Sequence, residues 1–304
     1  MSKAIIAIDK SKSYRVYLAV TTDLVQQAAD IHDTTPLGTA GLGRVLTAAG
    51  LMGIMLKNDS DKLTINFKGD GPAEQILATA YADGRVKGYI ANPYVELPLK
   101  EGGKLDVGGS LGVGELTVIR DIGLKEPYVG TIALVSGEIA DDMTAYFYIS
   151  EQQNTSVALG VKVERDLSVG AAGGMIIQML PDAEEGVIDA LENMIGGLDP
   201  LTTVISRVQD HAKAMSEAGL VEAVMNDIFQ SMPEEYKPEP LEERDITWEC
   251  DCSRQRLEEV LMTLGRKDLE EIIEEDGQAE LQCHFCLKKY LFTKEELEGI
   301  LERI

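Results

Sequence analysis

The chain has 304 residues, 28 basic and 52 acidic side chains and a formal net charge of −24, with 44% hydrophobic and 26% charged residues. That length suggests two domains, or one large domain with an appendage, and the apolar share suffices for a real core. The acidic balance argues against nucleic acid and anionic lipid as partners, because both are held mainly by clustered Lys and Arg.

Residues 5–8 and 14–20 have strand composition, rich in β-branched and aromatic side chains. The apolar run at 4–8 is too short for a signal peptide. Thr22 is placed to cap a helix running to about Ile31. Residues 37–56 are apolar on nearly all sides, the pattern of a buried helix. Their most apolar part, 45–56, falls well short of the ~20 residues that span a bilayer, so a soluble, cytoplasmic protein is expected. A strand at 63–67 ends in the turn Gly69-Asp70-Gly71-Pro72, and 76–81 with 85–90 flank Asp83-Gly84 as a hairpin. Glycine-rich breaks separate strand-like runs at 114–120, 128–136, 157–163 and 175–180, with a helix predicted over 138–151. Strands in runs with few intervening helices favour an α+β fold over a doubly wound parallel sheet.

After Pro181 the pattern turns helical, through Val187, Leu191, Met194 and Ile195, then Val204, Val208, Val221, Val224, Met225 and Ile228. Residues 232–240 hold Pro233, Pro238 and Pro240 and read as an extended linker. Residues 231–304 carry 21 acidic and 10 basic side chains, a net of −11.

All four cysteines lie in this tail, as Cys250-Asp-Cys252 and Cys283-His-Phe-Cys286. In a reducing compartment such a cluster points to metal or redox chemistry before a structural disulfide. Two close thiolate pairs match tetrahedral zinc, which contributes roughly 10–16 kcal/mol to the folding of small structural modules. The apolar set available to the module is short: Trp248, Leu257, Val260, Leu261, Leu264, Leu269, Ile272, Ile273, Leu281, Phe285, Tyr290 and Phe292. Ser253 can cap a first helix ended by Gly265, Asp268 with Glu271 resembles a capping box, and Gly277 stops the second helix. A hairpin then carries CHFC in its turn, and Thr293 with Glu296 caps a last helix. A purely structural zinc knuckle accounts for this spacing. Zinc-bound thiolates also stay reactive to peroxide, so losing the ligands and the metal would unfold a module this small.

The run Cys250-Asp-Cys252-Ser253-Arg254-Gln255-Arg256, then Glu275-Asp276-Gly277, then Cys283-x-x-Cys286 with Tyr290-x-Phe292, resembles the 33-kilodalton heat-shock protein family of bacterial redox-regulated holdase chaperones. The resemblance continues at Gly69-Asp70-Gly71-Pro72, at Tyr146-Phe147-x-x-Ser150-Glu151-Gln152 and at Ala171-Ala-Gly-Gly-Met175, followed by Gln178 and Pro181, over nearly the full length. It implies an α+β core domain (1–181), a metastable helical linker region (182–240) and a C-terminal redox-sensing zinc domain (241–304). It implies one zinc held by Cys250, Cys252, Cys283 and Cys286 in a reduced, inactive form. Oxidation is then expected to form the disulfides Cys250–Cys252 and Cys283–Cys286, release zinc and disorder the zinc domain and linker. The activated protein, a homodimer, would bind unfolding clients without ATP and pass them to ATP-dependent chaperones. No enzymatic activity is expected.

Two other classes bear weighing. A thiol–disulfide oxidoreductase would place C-x-x-C at a helix start, and an insulin-reduction assay separates it from a holdase. A zinc-ribbon interaction module is tested by a salt-dependent gel shift. His284, between two ligands, reads as an exposed turn residue, and His32 and His211 read as structural, lacking a nearby nucleophile. Neither Gly38-x-x-Gly41-x-Gly43 nor the stretch 108–114 carries the lysine of a phosphate loop. Met175, Met179, Met194 and Met225 read mainly as core, though methionine-rich surfaces suit promiscuous apolar clients.

Overall fold

The computed structural model describes residues 2–181, 183–211 and 216–304. The chain divides into two units, residues 1–248 and 249–304.

The first unit opens with the hairpin β1 (Ser2–Asp9) and β2 (Tyr14–Val20), then α1 (Thr22–His32) and α2 (Pro36–Gly53). The antiparallel strands β3 (Lys62–Gly69), β4 (Gln75–Tyr81) and β5 (Arg85–Ile90) follow, then the short α3 (Val107–Leu111), β6 (Gly114–Asp121) and β7 (Tyr128–Ala133). Next come α4 (Ala140–Ile149), β8 (Thr155–Val163) and β9 (Val169–Met179). The helices α5 (Glu185–Gly196), α6 (Leu201–His211) and α7 (Glu217–Ile228), a 3-10 turn (Glu234–Tyr236) and β10 (Pro238–Trp248) complete it.

These ten strands form one sheet in the order β7-β6-β3-β4-β5-β10-β1-β2-β9-β8. Every neighbouring pair is antiparallel except β10 and β5, which are parallel and joined only at Thr247–Arg85 and Trp248–Val86. The fold is therefore α+β, as the strand runs predict.

Period-two alternation sorts β2 between two cores. Tyr17 and Ala19 face the core built around α2, whereas Tyr14, Val16, Leu18 and Val20 face the core under α5–α7. The buried helix predicted at 37–56 is α2, where sixteen of eighteen residues are buried and Thr35 caps the N-terminus. Its glycines are packing positions, not a phosphate cradle: a Cβ at Gly43 would stand 2.6 Å from Val25 Cγ1. The Ala171–Met175 motif lies in β9, where the lack of side chains lets helices approach both faces. A Cβ at Gly173 would meet Ile205 Cδ1 of α6 at 2.6 Å, and one at Gly174 would meet Thr47 Cγ2 of α2 at 2.7 Å.

Residues 182–240, expected as a helical linker, carry α5–α7 and the start of β10. Most of the predicted apolar rows bury against β1, β2 and β9: Val187, Leu191, Met194, Val204, Val208, Val221, Val224, Met225 and Ile228 are all 9% exposed or less, whereas Ile195, expected with them, is 37% exposed. Met175 belongs to the same core, with Met179 packed against it. The proline-rich segment, expected as an extended linker, instead makes a 3-10 turn at Glu234–Tyr236 and from Pro238 is a strand paired with β1. Prolines are tolerated because the other edge of β10 meets β5 only at Thr247 and Trp248, so an absent N–H there costs no ladder bond.

Three local expectations fail. Thr22 does not cap α1; Thr21 precedes the helix without a side-chain cap, and Thr22 Oγ1 instead accepts from Ala172 N at 3.1 Å. The helix expected from residue 138 starts at Ala140, because Ile139 stands at φ +68°. The buried Asp142 carboxylate holds that turn, accepting from the backbone N–H groups of Val135, Ser136 and Ile139. Trp248 lies in the first unit's core, where His32 meets it edge-on at 6.0 Å and donates from Nε2 to Gly88 O at 3.1 Å. His32 and His211, whose Nδ1 lies 2.6 Å from Arg207 O, both take structural places.

The second unit holds α8 (Arg254–Thr263), α9 (Arg266–Glu275), the hairpin β11 (Gln278–Gln282) and β12 (Lys289–Thr293), and α10 (Lys294–Leu301). Among the described residues, no helix of either unit is long and apolar enough to cross a membrane.

Candidate metal centre

The four cysteines are free thiols brought together by two short backbone devices. Cys250 and Cys252 lie in the segment before α8, which Ser253 caps by accepting from Arg256 N at 3.2 Å. Cys283 and Cys286 lie in the turn between β11 and β12. Cys283 N donates to Lys288 O at 3.0 Å, Leu287 N donates to Cys283 O at 2.9 Å, and Leu287 takes φ +57° to close the turn. Thr293 and Glu296 form the predicted capping box of α10. The joint between α8 and α9 differs from expectation: Leu264 ends α8, and Gly265 at φ +84° is the N-terminal cap of α9, so Asp268 lies inside the helix and caps nothing. Gly277, at φ +66°, follows the end of α9 as predicted.

The unit's core is small, with Leu261, Leu269, Ile273, Tyr290, Phe292, Leu297 and Ile300 as its buried members. Val260 and Leu264, expected inside, are 47% and 44% exposed. Leu297 and Ile300 replace them because α10 folds its apolar stripe back onto α8 and α9.

The sulfur atoms of Cys250, Cys252, Cys283 and Cys286 all lie within 4.8 Å of one another. The shortest separations run between the pairs, 3.6 Å from Cys250 to Cys283 and 3.3 Å from Cys252 to Cys286. Four sulfurs at ~2.3 Å from one tetrahedral ion stand about 3.8 Å apart, so the cluster has the size of a thiolate metal cage. Its donors are all sulfur, the set that selects zinc or another soft ion over calcium or magnesium. Burial pushes the Cys250 and Cys286 thiols up, with backbone N–H groups of Cys252 and Lys288 opposing it. At Cys252, burial acts upward but hydrogen bonding, chiefly from Tyr290 Oη and then from the neighbouring sulfurs, outweighs it and lowers the pKa.

Tyr290 is the residue beside the cluster that no ligand pattern announces. Its hydroxyl lies 3.3 Å from Cys252 Sγ and 3.3 Å from Cys252 O. The bond to Cys252 pushes its own pKa up to about 12, keeping the phenol a donor. Arg254 ties the start of α8 to β12 and α10. Its guanidinium lies 4.3 Å over the Phe292 ring and donates to Leu291 O at 2.8 Å and Glu296 Oε2 at 2.6 Å. Arg256 pairs with Asp251 at 2.7 Å. Both arginines of the Cys-x-Cys-Ser-Arg-x-Arg run thus serve the geometry of the first cysteine pair. His284 is exposed on the turn.

An α+β unit joined to a small four-thiol module with the size of a metal cage defines a two-part protein with a candidate thiolate metal site. The profile of the family described as "Hsp33 protein" matches residues 2–293, and the chain belongs to that family. Its relatives include the "33 kDa chaperonin" of Alkaliphilus oremlandii, 46% identical over 97% of this chain and 94% of that one. The "33 kDa chaperonin" of Clostridium perfringens is 46% identical over 99% of this chain and 91% of its own. The crystal structure of the 33 kDa chaperonin, a heat shock protein 33 homolog, from Thermotoga maritima superposes with a TM-score of 0.84 at 32% identity, over 99% of this chain and 98% of that one. The family is one of chaperones.

Proposed function

We propose that this chain is a cytoplasmic, redox-regulated, ATP-independent holdase. The observation that carries the reading is the four-sulfur cluster in a unit whose own buried core numbers only seven side chains. Zinc, when bound, supplies the positive centre that keeps four crowded sulfurs ionised and the two cysteine pairs together.

Cys250, Cys252, Cys283 and Cys286 are the zinc ligands in the reduced form and the redox-active residues. Following the family resemblance, the disulfides are Cys250–Cys252 and Cys283–Cys286; the sulfurs are all near neighbours, so proximity alone favours no pairing. In each pair an S–S bond forms and the O–O bond of peroxide breaks. Two electrons pass from sulfur to oxygen, and two waters leave with the two protons taken up. The disulfide sulfurs no longer carry ligand charge, and a module deprived of roughly 10 kcal/mol unfolds.

Residues 182–240 form the metastable linker that follows. Its helices cover an apolar face contributed by Ile5, Tyr14, Val16, Leu18, Met175 and Ile177. Loss of α5–α7 would open this face to unfolding clients. The active form is a homodimer that hands clients to ATP-dependent chaperones. An oxidoreductase reading gains no support, because Cys283-x-x-Cys286 sits in a hairpin turn and not at a helix start.

The test is paired: zinc-loaded protein is treated with peroxide and mild heat, zinc release is followed with a chromogenic chelator, and suppression of client aggregation is measured on the same sample. Zinc release with new suppression supports the switch. Release without suppression, or equal suppression by the reduced protein, overturns it.

A further inference from the structure

The sheet face that packs on α2 outlasts the helix. Past Gly53 it leaves a cleft of about 190 Å³, roughly six water molecules' worth of liquid. Met52, Met55, Leu63 and Phe147 give it an apolar floor. Two arginines reach it from different strands, Arg15 on β2 and Arg120 on β6.

The two guanidiniums are not equivalent. Arg120 is neutralised by Glu151, its Nη2 donating to the two carboxylate oxygens at 2.5 and 2.6 Å, and it lies 4.8 Å from the Tyr128 ring centroid. Glu151 also accepts from Tyr146 Oη at 2.6 Å. Arg15 has no carboxylate partner among the described residues. Its Nη1 donates to Tyr17 Oη at 3.2 Å, and its Nε is buried without a hydrogen-bond partner. Directly opposite Arg15 in the β2–β9 register stands Gln178, 7% exposed, whose side-chain amide makes no hydrogen bond among the described residues. Phe147, Glu151 and Gln178 all come from motifs that the metal centre leaves unexplained.

A half-buried guanidinium without a carboxylate partner stands beside an amide without one, and a carboxylate in the cleft would accept from the Arg15 Nη groups and the Gln178 amide together. One guanidinium in excess matches one negative charge; a phosphate would bring a second charge towards Glu151. The volume falls below that of drug-sized pockets, which begin near ~300 Å³, so the ligand is small. We infer that this cleft binds a monocarboxylate carrying a short branched or aromatic apolar group, with the carboxylate on Arg15 and Gln178 and the apolar group over Met55 and Phe147. A free acid and the C-terminus of a peptide ending in leucine share this chemistry.

The experiment is calorimetric titration of the reduced full-length protein with N-acetyl-leucine and with N-acetyl-leucinamide. The acid is expected to bind at least tenfold tighter than the amide. Arg15→Gln is expected to reduce acid binding at least tenfold, and Met55→Trp, which fills the floor without touching the charge, to abolish it. Competition by 4-methylpentanoate as strong as that by N-acetyl-leucine identifies a free acid as the ligand; competition only by a tripeptide ending in leucine identifies a peptide terminus. Equal affinity for acid and amide overturns the site, as does no binding at millimolar concentration. Arg15→Gln that lowers the melting temperature yet binds as wild type also overturns it, assigning Arg15 to the fold alone.

Discussion

Tyr290 makes its two contacts with one oxygen, and both go to Cys252. Tyr290→Phe keeps the ring in its core and removes only that donor. Outer-shell partners of metal ligands are typically worth 10–100-fold in affinity, so the variant should lose about tenfold in zinc affinity by chelator competition, with the module still folded when zinc is saturating. Unchanged affinity would reduce Tyr290 to a packing residue. The convergence of the four cysteines was legible in the sequence, because two close thiol pairs at that spacing are what a tetrahedral metal site requires. Tyr290 and Arg254 were legible only as positions in a motif. Their roles depend on which way β12 turns its alternate side chains and on a helix–helix approach across 42 residues, from Arg254 on α8 to Glu296 on α10, that local patterning does not encode.

The helices α5–α7 came through clearly as elements, since their apolar rows recur at helical spacing. Their partner did not, because periodicity marks an apolar face without saying what covers it. The strand β10 was hidden by its prolines, which a central strand normally excludes; only its half-free edge admits them. Val204 on α6 is fully buried in the core shared with β1, β2 and β9. Val204→Asp places an unpaired carboxylate there, at a cost on the order of 3 kcal/mol. Under the proposed function the helices should then detach without oxidant, giving aggregation suppression in reducing buffer, with Val204→Ala needing less peroxide than wild type. A Val204→Asp protein that is folded, shows increased hydrogen exchange in α6 and remains inactive would disconnect the helices from regulation.

For the molecule as a whole, the proposed function makes charge and covalent switch act together. Residues 231–304 hold a net charge of −11, which folding concentrates and unfolding disperses. Between about 0.01 M and 0.15 M salt the Debye length falls from ~30 Å to ~8 Å. The peroxide-treated, zinc-free protein should therefore contract measurably over that range in hydrodynamic radius, while the reduced, zinc-loaded protein stays constant. Equal behaviour of the two forms would show that the acidic tail does not expand on oxidation. The sign of this charge was plain from composition, whereas the boundary after Trp248 was not, because it depends on β10 pairing with β1 and β5.

The strands β9 and β10 flank α5–α7 in the chain, and each is hydrogen-bonded into the ten-stranded sheet. Under the proposed function, helices that lift away from such a frame stay leashed at both ends. Their return is the closing of a loop whose entropy cost grows only with the logarithm of its length, not a search through solution. Such a hinged flap can open and shut many times without the fold beneath it having to be made anew.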